Sequence, residues 1–428
     1  MKKINAQEAL HLFDVAQTRQ LETLAKAQIS DSPPLMQRAG LAIAQLAMAI
    51  KPFAACHWIF CGPGNNGGDG LEAATHLHLW GQKVCVVLWQ PHQLRPVDAQ
   101  LALQKVRSLG IELRSELDFK QHIQSADLVI DALLGIGLRT QADHADQANQ
   151  SKAVKSDHPP HIQTWIAAAY GTNADVLAVD IPSGLNANTG NFDDALLQNA
   201  PSCSTLHATH TLQLLNAKPG CFTAHGRDAC GTQWLDTLGI DSVPHGLTSV
   251  ARLNTLPLSN LKHLHASHKG TFGDVTVVGG ESVQARGLGM TGAVDLATSA
   301  ALHAGAGRVM ACYLSNHVPP GLQTEVMLRS FEALELKQGV VVCGCGGGLA
   351  IQKVLPKVLQ ESTQLVLDAD ALNAIAKDPW LQDLMRQRGL KKMATIITPH
   401  PLEAARLLNT DTLDLAQELR QLSPTDRA

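Results

Sequence analysis

The sequence is poor in aromatic and charged side chains. Aromatic residues make up 4% and charged residues 17% of its 428 residues, against about 25% charged residues in a typical soluble domain. The net charge is −4, and the basic residues form no cluster of the kind that binds nucleic acid. We therefore expect no nucleic-acid partner.

The sequence also lacks signals for export and membrane insertion. Residues 1–8 have no apolar core of the kind that signal peptides carry, and the apolar stretch 41–50 is interrupted by Gln45 and too short to span a bilayer. The nine cysteines form no CxxC pair, and Cys343 and Cys345 are the closest two. An odd number of unpaired thiols is typical of a reducing compartment. We expect a cytoplasmic protein that has no membrane partner.

What the sequence does contain is an alternation of short apolar runs with helical segments. Residues 1–50 are predicted to be helical, and the polar stretch 141–161 is predicted to be a surface insertion. Alternating strands and helices favour a parallel, doubly wound sheet. At this length two α/β domains are expected, 1–241 and 242–428. The predicted strands are 57–61, 83–89, 128–131, 176–181 and 209–215 in the first half, and 274–278, 308–313, 340–343, 365–368 and 395–398 in the second.

A glycine-rich segment, residues 61–70, follows the first of these strands and precedes a predicted helix at 71–80. Glycines at a strand-to-helix turn let the backbone approach a phosphate, and the helix N-terminus attracts its charge. The segment contains Gly62-x-Gly64-x-x-Gly67, but the strand predicted at 83–89 does not end in the acidic residue that normally binds the ribose. This disfavours a redox enzyme with NAD as cofactor, while a nucleotide-like ligand and a purely structural turn both stay open.

Carboxylates stand at the ends of several predicted strands. Asp131 and Asp180 end strands in the first half, and Ser183 follows Asp180 closely. Ligands of open parallel sheets bind at the carboxyl ends of the strands, so these residues and the glycine segment are expected at one rim. A helix N-cap or an Asx turn is the alternative role for each Asp. In the second half, 367–373 and 398–403 occupy similar positions, and Glu403 is expected not to form a capping box with Thr398.

At this point several motifs together resemble a known family. Those of the first half resemble the NAD(P)H-hydrate epimerase domain, and those of the second half resemble the ADP-dependent NAD(P)H-hydrate dehydratase domain. The resemblance implies a Rossmann-like three-layer N-terminal domain followed by an incomplete ribokinase-like α/β domain. The matching segments are 35–40, 62–70, 131–137, 179–186 and 217–220 in the first half, and 268–274, 305–307, 367–373 and 398–401 in the second.

The resemblance also implies roles for individual residues. Asp180 is the expected general acid or base at C6 of the hydrated nicotinamide, and a K⁺ ion is expected on Asn66, Asp131 and Ser183. The substrate is expected to be NAD(P)HX, the hydrated dinucleotide, and a homo-oligomer is expected. ADP and Mg²⁺ belong to the dehydratase activity of the family. The expected substrate-binding residues are Asn65, Asn66, Gly67, Gly68, Asp69, Gly135, Ile136, Gly137, Leu138, Arg139, Thr140, Gln141, Asp180, Ala293, Gly346, Gly348 and His400.

The second half departs from the family pattern. It contains no GxGD motif, which in the family supplies an anion hole and a catalytic Asp, and its turn 344–348 reads GCGGG. We expect a chain that is truncated at its C-terminus, with a dehydratase that is inactive or weak and a sheet edge that is exposed. Two alternatives remain, namely a ribokinase-type small-molecule kinase and a non-enzymatic nucleotide-binding scaffold.

Overall fold

A computed structural model describes residues 1–5, 9–28, 33–115, 123–137, 162–192, 206–240, 247–255, 265–315 and 321–409. The chain forms two compact units that divide after residue 256. The boundary predicted at 241 stays a prediction. Within the described ranges, no helix combines the length and the apolar character that a membrane crossing requires.

The first unit is built on an eight-stranded sheet in the order β1-β9-β8-β7-β6-β3-β4-β5. Its strands are parallel except for β1, which runs antiparallel to β9. Strands β3, β4 and β6 are buried along their whole length, because helices cover both faces of a parallel sheet. The strands are β1 (Lys2–Lys3), β3 (His57–Cys61), β4 (Val84–Leu88), β5 (Glu112–Arg114), β6 (Leu128–Ala132), β7 (Asp175–Val179), β8 (His210–Leu214) and β9 (Thr232–Asp236).

Two apolar cores lie on opposite faces of this sheet and give the unit three layers. One contains Ile59 with residues of four helices, and the other contains Trp58 and Phe60 with the helix that follows β6. A separate antiparallel pair joins β2 (Leu10–Leu12) to β10 (Ala251–Leu253). The helices are α1 (Val15–Gln28), α2 (Leu35–Ile50), α3 (Asn65–Leu79), α4 (Val97–Ser108), α5 (Ile162–Tyr170) and α6 (Gly226–Ala229).

The second unit is built on a six-stranded parallel sheet in the order β13-β12-β11-β14-β15-β16. Strand β16 is its edge in the described part of the chain, and Ile396 and Ile397 there are exposed. Its strands are β11 (Asp274–Gly279), β12 (Arg308–Tyr313), β13 (Met327–Leu328), β14 (Val340–Cys343), β15 (Gln364–Leu367) and β16 (Ala394–Ile397). Its helices are α7 (Val283–Arg286), α8 (Thr291–His303), α9 (Ile351–Glu361), α10 (Ala369–Lys377), α11 (Pro379–Leu390) and α12 (Pro401–Leu407).

Both sheets confirm the predicted α/β class. The strands predicted at 57–61, 308–313 and 340–343 have the observed bounds, and the other predicted strands differ at their ends. Two local predictions are wrong. Residues 1–50 are not helical throughout, since β1 and β2 precede α1, and the helix predicted at 71–80 begins at Asn65 instead. The predicted insertion at 141–161 lies outside the described residues.

Candidate active site

The glycine segment forms the connection from β3 into α3. Gly64 is the N-cap of that helix, so Gly67 and Gly68 belong to its first turns rather than to a loop. A Cβ on Gly62 would overlap the carbonyl oxygen of Leu133, and a Cβ on Gly67 would overlap that of Gly62. Glycine is therefore required at 62 and 67 because backbone passes too close for any side chain.

A cavity of about 950 Å³ lies beside this segment in the first unit. Its volume is at the upper end of the roughly 300–1,000 Å³ found for ligand pockets. Gly67 and Gly68 are buried in α3 and do not line it, and residues 138–141 lie outside the described ranges. The predicted site residues that line it are Asn65, Asn66, Asp69, Gly135, Ile136, Gly137 and Asp180.

Asp180 reaches the cavity from the residue that follows β7. Its φ of 67° lies in the left-handed region, which is uncommon for a residue other than glycine. The backbone N–H of Leu214 donates to its Oδ1 over 3.0 Å, and Nζ of Lys218 donates to the same oxygen. The lysine side chain is fully buried, whereas the Asp180 side chain is 12% exposed. One edge of the carboxylate is therefore fixed while the other faces the cavity.

Lys218 itself is held by groups behind the cavity wall. Its Nζ also donates to the carbonyl oxygen of Leu214 over 2.7 Å, and its backbone N–H donates to Oε1 of Gln213 over 2.8 Å. Gln213 is itself held in place, because its Nε2 donates to Oε1 of Gln233 over 2.8 Å. Sequence reasoning gave Lys218 no role. The signal available was a lysine between Ala217 and Pro219, three residues after a predicted strand.

Asp131 and Ser183 form a buried network at the neighbouring strand end. Ser183 Oγ donates to Asp131 Oδ1 over 2.6 Å, and its backbone N–H donates to Oδ2 over 2.9 Å. The hydroxyl of Tyr170 donates to Oδ2 over 2.6 Å, and the N–H of Leu133 donates to Oδ1 over 3.2 Å. Burial raises the pKa of Asp131, and the hydrogen bonds from Ser183 and Tyr170 oppose that rise. Neither Asp is a simple helix N-cap.

The donor chemistry around Asp131 suits a hard monovalent cation. Asn66 lies against this network, where its Nδ2 donates to the carbonyl oxygen of Leu134 over 3.0 Å, so its Oδ1 stays available as a ligand. Asp131, Ser183 and Asn66 supply carboxylate, hydroxyl and amide oxygens, the ligand types that alkali and alkaline-earth cations prefer. Among the described residues Asp131 has no ion-pair partner. A K⁺ ion there would balance its buried charge.

Asp69 is another carboxylate on the cavity wall. It is partly buried on α3, and within the described ranges it has no hydrogen-bond or ion-pair partner. Desolvation raises the pKa of Asp69 well above its ordinary value, and the negative charge of Asp180 raises it further. The cavity thus presents one carboxylate that is paired with a buried ammonium group and one whose surroundings favour the protonated form.

In the second unit, three predicted substrate residues meet at the carboxyl ends of β11 and β14. A Cβ on Gly346 would lie 3.2 Å from Cβ of Ala293, and the N–H of Gly348 donates to Asp370 over 2.8 Å. The φ angles of Gly346 and Gly348 are 59° and 54°, which explains why glycine stands at both positions.

His400 has a role that the sequence did not predict. Its Nδ1 accepts the N–H of Glu403 over 3.3 Å, and the Glu403 carboxylate accepts the N–H of His400 over 3.1 Å. The pair is a capping box at the start of α12. Glu403 forms no capping box with Thr398, as the spacing predicted, but it forms one with His400, which the sequence did not predict. Substrate contact by His400 stays a prediction.

The first of these α/β units carries a cavity at the strand ends of a Rossmann-like sheet, the place where enzymes of this class bind their ligands. Residues 32–220 match the family model described as YjeF-related protein N-terminus, and residues 275–423 match that described as NAD(P)H-hydrate dehydratase. The chain belongs to the family of bifunctional NAD(P)H-hydrate repair enzymes, whose second domain is ribokinase-like.

Individual relatives support this assignment over most of the chain. The bifunctional NAD(P)H-hydrate repair enzyme Nnr of Escherichia coli (strain K12) is 34% identical over 401 residues, 90% of this chain and 68% of that protein. The protein of the same name from Coxiella burnetii is 34% identical, with 93% and 75% covered. That from Moorella thermoacetica is 31% identical, with 97% and 78% covered.

Proposed function

We propose that the first domain epimerises the R and S forms of NAD(P)HX at C6 of the hydrated nicotinamide ring. The observation that carries this proposal is the placement of Asp180, fixed on one edge by Lys218 and Leu214 and open to the cavity on the other. A positioned carboxyl group contributes about 10²–10⁴-fold to proton transfers of this kind. The proposed hydrate site is formed by the predicted residues that line the cavity, namely Asn65, Asn66, Asp69, Gly135, Ile136, Gly137 and Asp180. Substrate contact by Gly67, Gly68 and residues 138–141 stays a prediction.

Potassium is proposed as the cation of this domain, held by Asn66, Asp131 and Ser183. When bound, the ion would supply positive charge where the segment after β6 meets the segment after β7. The protein residues do the remaining work, since Asp131 accepts two hydrogen bonds from Ser183 and thereby fixes the loop that carries Asp180. No proton-transfer step depends on the ion.

For the second domain we propose that the 428-residue polypeptide dehydrates S-NAD(P)HX weakly or not at all. Ala293, Gly346, Gly348 and His400 are the proposed hydrate contacts there. The sequence contains no GxGD motif in this half. These residues therefore lack the anion hole and the catalytic base that the motif would supply for ADP-dependent chemistry. The described residues present no cluster of three His, Cys, Asp or Glu side chains for a metal. We therefore assign no step to Mg²⁺.

The two alternatives are weaker. A ribokinase-type kinase needs the same GxGD motif, and family membership favours hydrate repair. A non-enzymatic scaffold does not need a buried lysine that fixes one carboxylate edge at the cavity wall. Homo-oligomeric assembly and a cytoplasmic location stay predictions.

The test is an exchange assay with the purified chain. R-NADHX is incubated with enzyme and potassium, the two epimers are followed by chromatography, and ADP with Mg²⁺ is then added. We expect fast exchange before ADP and little NADH recovery after it. An ordinary enzymatic rate of ADP-dependent recovery would contradict the weak-dehydratase proposal and leave the epimerase proposal intact.

Two variants complete that assay. Asp180→Asn keeps the size and the φ preference of the side chain but cannot exchange a proton, so exchange is expected to slow about 10²-fold or more. The matched control is Asp228→Asn, an exposed carboxylate of the same unit that does not line the cavity. Exchange at the spontaneous rate by the unmodified chain would favour the scaffold.

A further inference from the structure

Four carboxylates line the cavity. Glu22 is paired with Lys26 and Asp98 is exposed, which leaves Asp69 and Asp180 as the two to compare. Lys218 pairs with Asp180, whereas Asp69 lines the same cavity without a hydrogen bond or an ion pair to any described residue. Pairs of carboxyl groups whose surroundings push their proton affinities apart are the usual sign of separate acid and base roles. A residue that only bound a ribose hydroxyl would not need such an environment.

Resting on the proposed epimerase function, we propose that Asp69 and Asp180 share one proton and act as the acid and the base on opposite sides of C6. In this reaction Asp69 donates its proton to the C6 hydroxyl, the C6–O bond breaks, and water leaves. The lone pair of ring nitrogen N1 forms the N1=C6 double bond of an iminium cation.

Water then adds to the other face of C6. Its oxygen forms the new C6–O bond, the N1=C6 π pair returns to N1, and Asp180 takes the proton that the water releases. One water leaves and one enters, no electrons are exchanged with another molecule, and the pair ends with its proton on Asp180. The opposite epimer reacts by the same steps in reverse, and that reaction begins with the proton on Asp180.

The charges around Asp69 suit this role. Asp180 and the carboxylates of Glu22 and Glu72 favour its protonated form, and Lys26 opposes them. Lys26 is itself paired with Glu22 over 2.7 Å, which weakens its effect on Asp69. Asp69 is therefore expected to keep its proton to a higher pH than an ordinary Asp would.

The first experiment compares Asp69→Asn with the unmodified enzyme and with Asp228→Asn. Asparagine keeps the hydrogen-bonding shape but cannot donate the acidic proton. We expect kcat for exchange to fall about 10²-fold or more, while KM changes less than about threefold. The unmodified enzyme is expected to lose activity as the pH rises and the pair loses its proton. A melting curve confirms that each variant is folded.

Two further measurements separate this mechanism from others. In H₂¹⁸O, each epimerisation is expected to place one ¹⁸O atom at C6 of the product, because the original oxygen leaves as water. Glu22→Gln is expected to move the alkaline loss of activity to lower pH, because one of the negative charges acting on Asp69 is removed. If Asp69→Asn keeps kcat within about threefold, or if the product retains its ¹⁶O, the proposal is overturned. If the unmodified chain does not exchange the epimers, the proposed function itself fails.

Discussion

Nζ of Lys218, which is fully buried, donates to Oδ1 of Asp180, the carboxylate that reaches the cavity. The two residues lie 38 positions apart in the sequence, and the fold brings them together at the ends of β7 and β8. The contact means that the catalytic carboxylate of the proposed mechanism cannot be altered without affecting a buried charge.

Removing that lysine should cost considerable stability. In Lys218→Met the buried carboxylate of Asp180 loses its partner, and breaking a buried pair typically costs about 3–5 kcal/mol. The control is Lys51→Met, since Lys51 pairs with the more exposed Asp175 over 2.8 Å, and such pairs contribute about 0–1 kcal/mol. Urea unfolding measures both. The double variant Lys218→Met with Asp180→Asn should recover part of the loss, and equal losses in the two single variants would contradict the prediction.

A second prediction separates glycines that the fold needs from one that faces the cavity. Gly67→Ala places a methyl group on the carbonyl oxygen of Gly62, so the soluble folded yield and the melting temperature should both fall. Nothing lies within 4 Å of a Cβ on Gly64. Gly64→Ala should therefore fold normally and show weaker substrate binding, because the methyl group projects at the cavity wall. Similar melting temperatures for the two variants would be inconsistent with this geometry.

Asp69→Asn should be more stable than the unmodified chain at neutral pH although it is less active. The pKa of Asp69 is raised from 3.8 in the folded state, so the folded chain binds more protons than the unfolded chain above that value. Its contribution to stability is present at low pH and is lost as the pH rises through the raised pKa. Asparagine does not titrate. The melting temperature of the variant should exceed that of the parent by about 2 °C or more at neutral pH, and the gap should close near pH 4.

Potassium should stabilise the first domain. A ligand that binds only the folded state adds about 2.7 kcal/mol at a hundred times its Kd. We expect a higher melting temperature in potassium chloride than in tetramethylammonium chloride at equal ionic strength, since the bulky cation does not fit among Asn66, Asp131 and Ser183. In Asp131→Asn the difference should vanish. A difference of the same size in that variant would place the cation elsewhere.

The sheets could be predicted from the sequence because their strands are continuous apolar runs. His57–Cys61 is buried on both faces, so its composition alone marks it. The start of α3 could not be predicted in this way. Gly67 and Gly68 are poor helix formers, and they stand in a helix only because neighbouring backbone requires them. Local propensity was overridden there by tertiary packing.

The positions of the carboxylates could be predicted from the sequence, but the groups that form hydrogen bonds to them could not. Asp131 and Asp180 follow apolar strands, and this position is visible in the sequence. Lys218 and Tyr170 act through contacts between distant segments, and no local pattern indicates which carboxylate each will meet. The same holds for Asp69, which has no partner among the described residues, because that depends on every segment around the cavity.

The close backbone approaches at Gly62 and Gly67 also affect how relatives should be judged. These two glycines are fixed by the geometry of the turn and would be kept by a descendant that had lost all activity. Asp69 and Asp180 are not required by that turn, so they can change while the glycine pattern survives. Under the proposed mechanism, the glycine motif therefore reports the shape of the turn, whereas the two carboxylates report the capacity to epimerise.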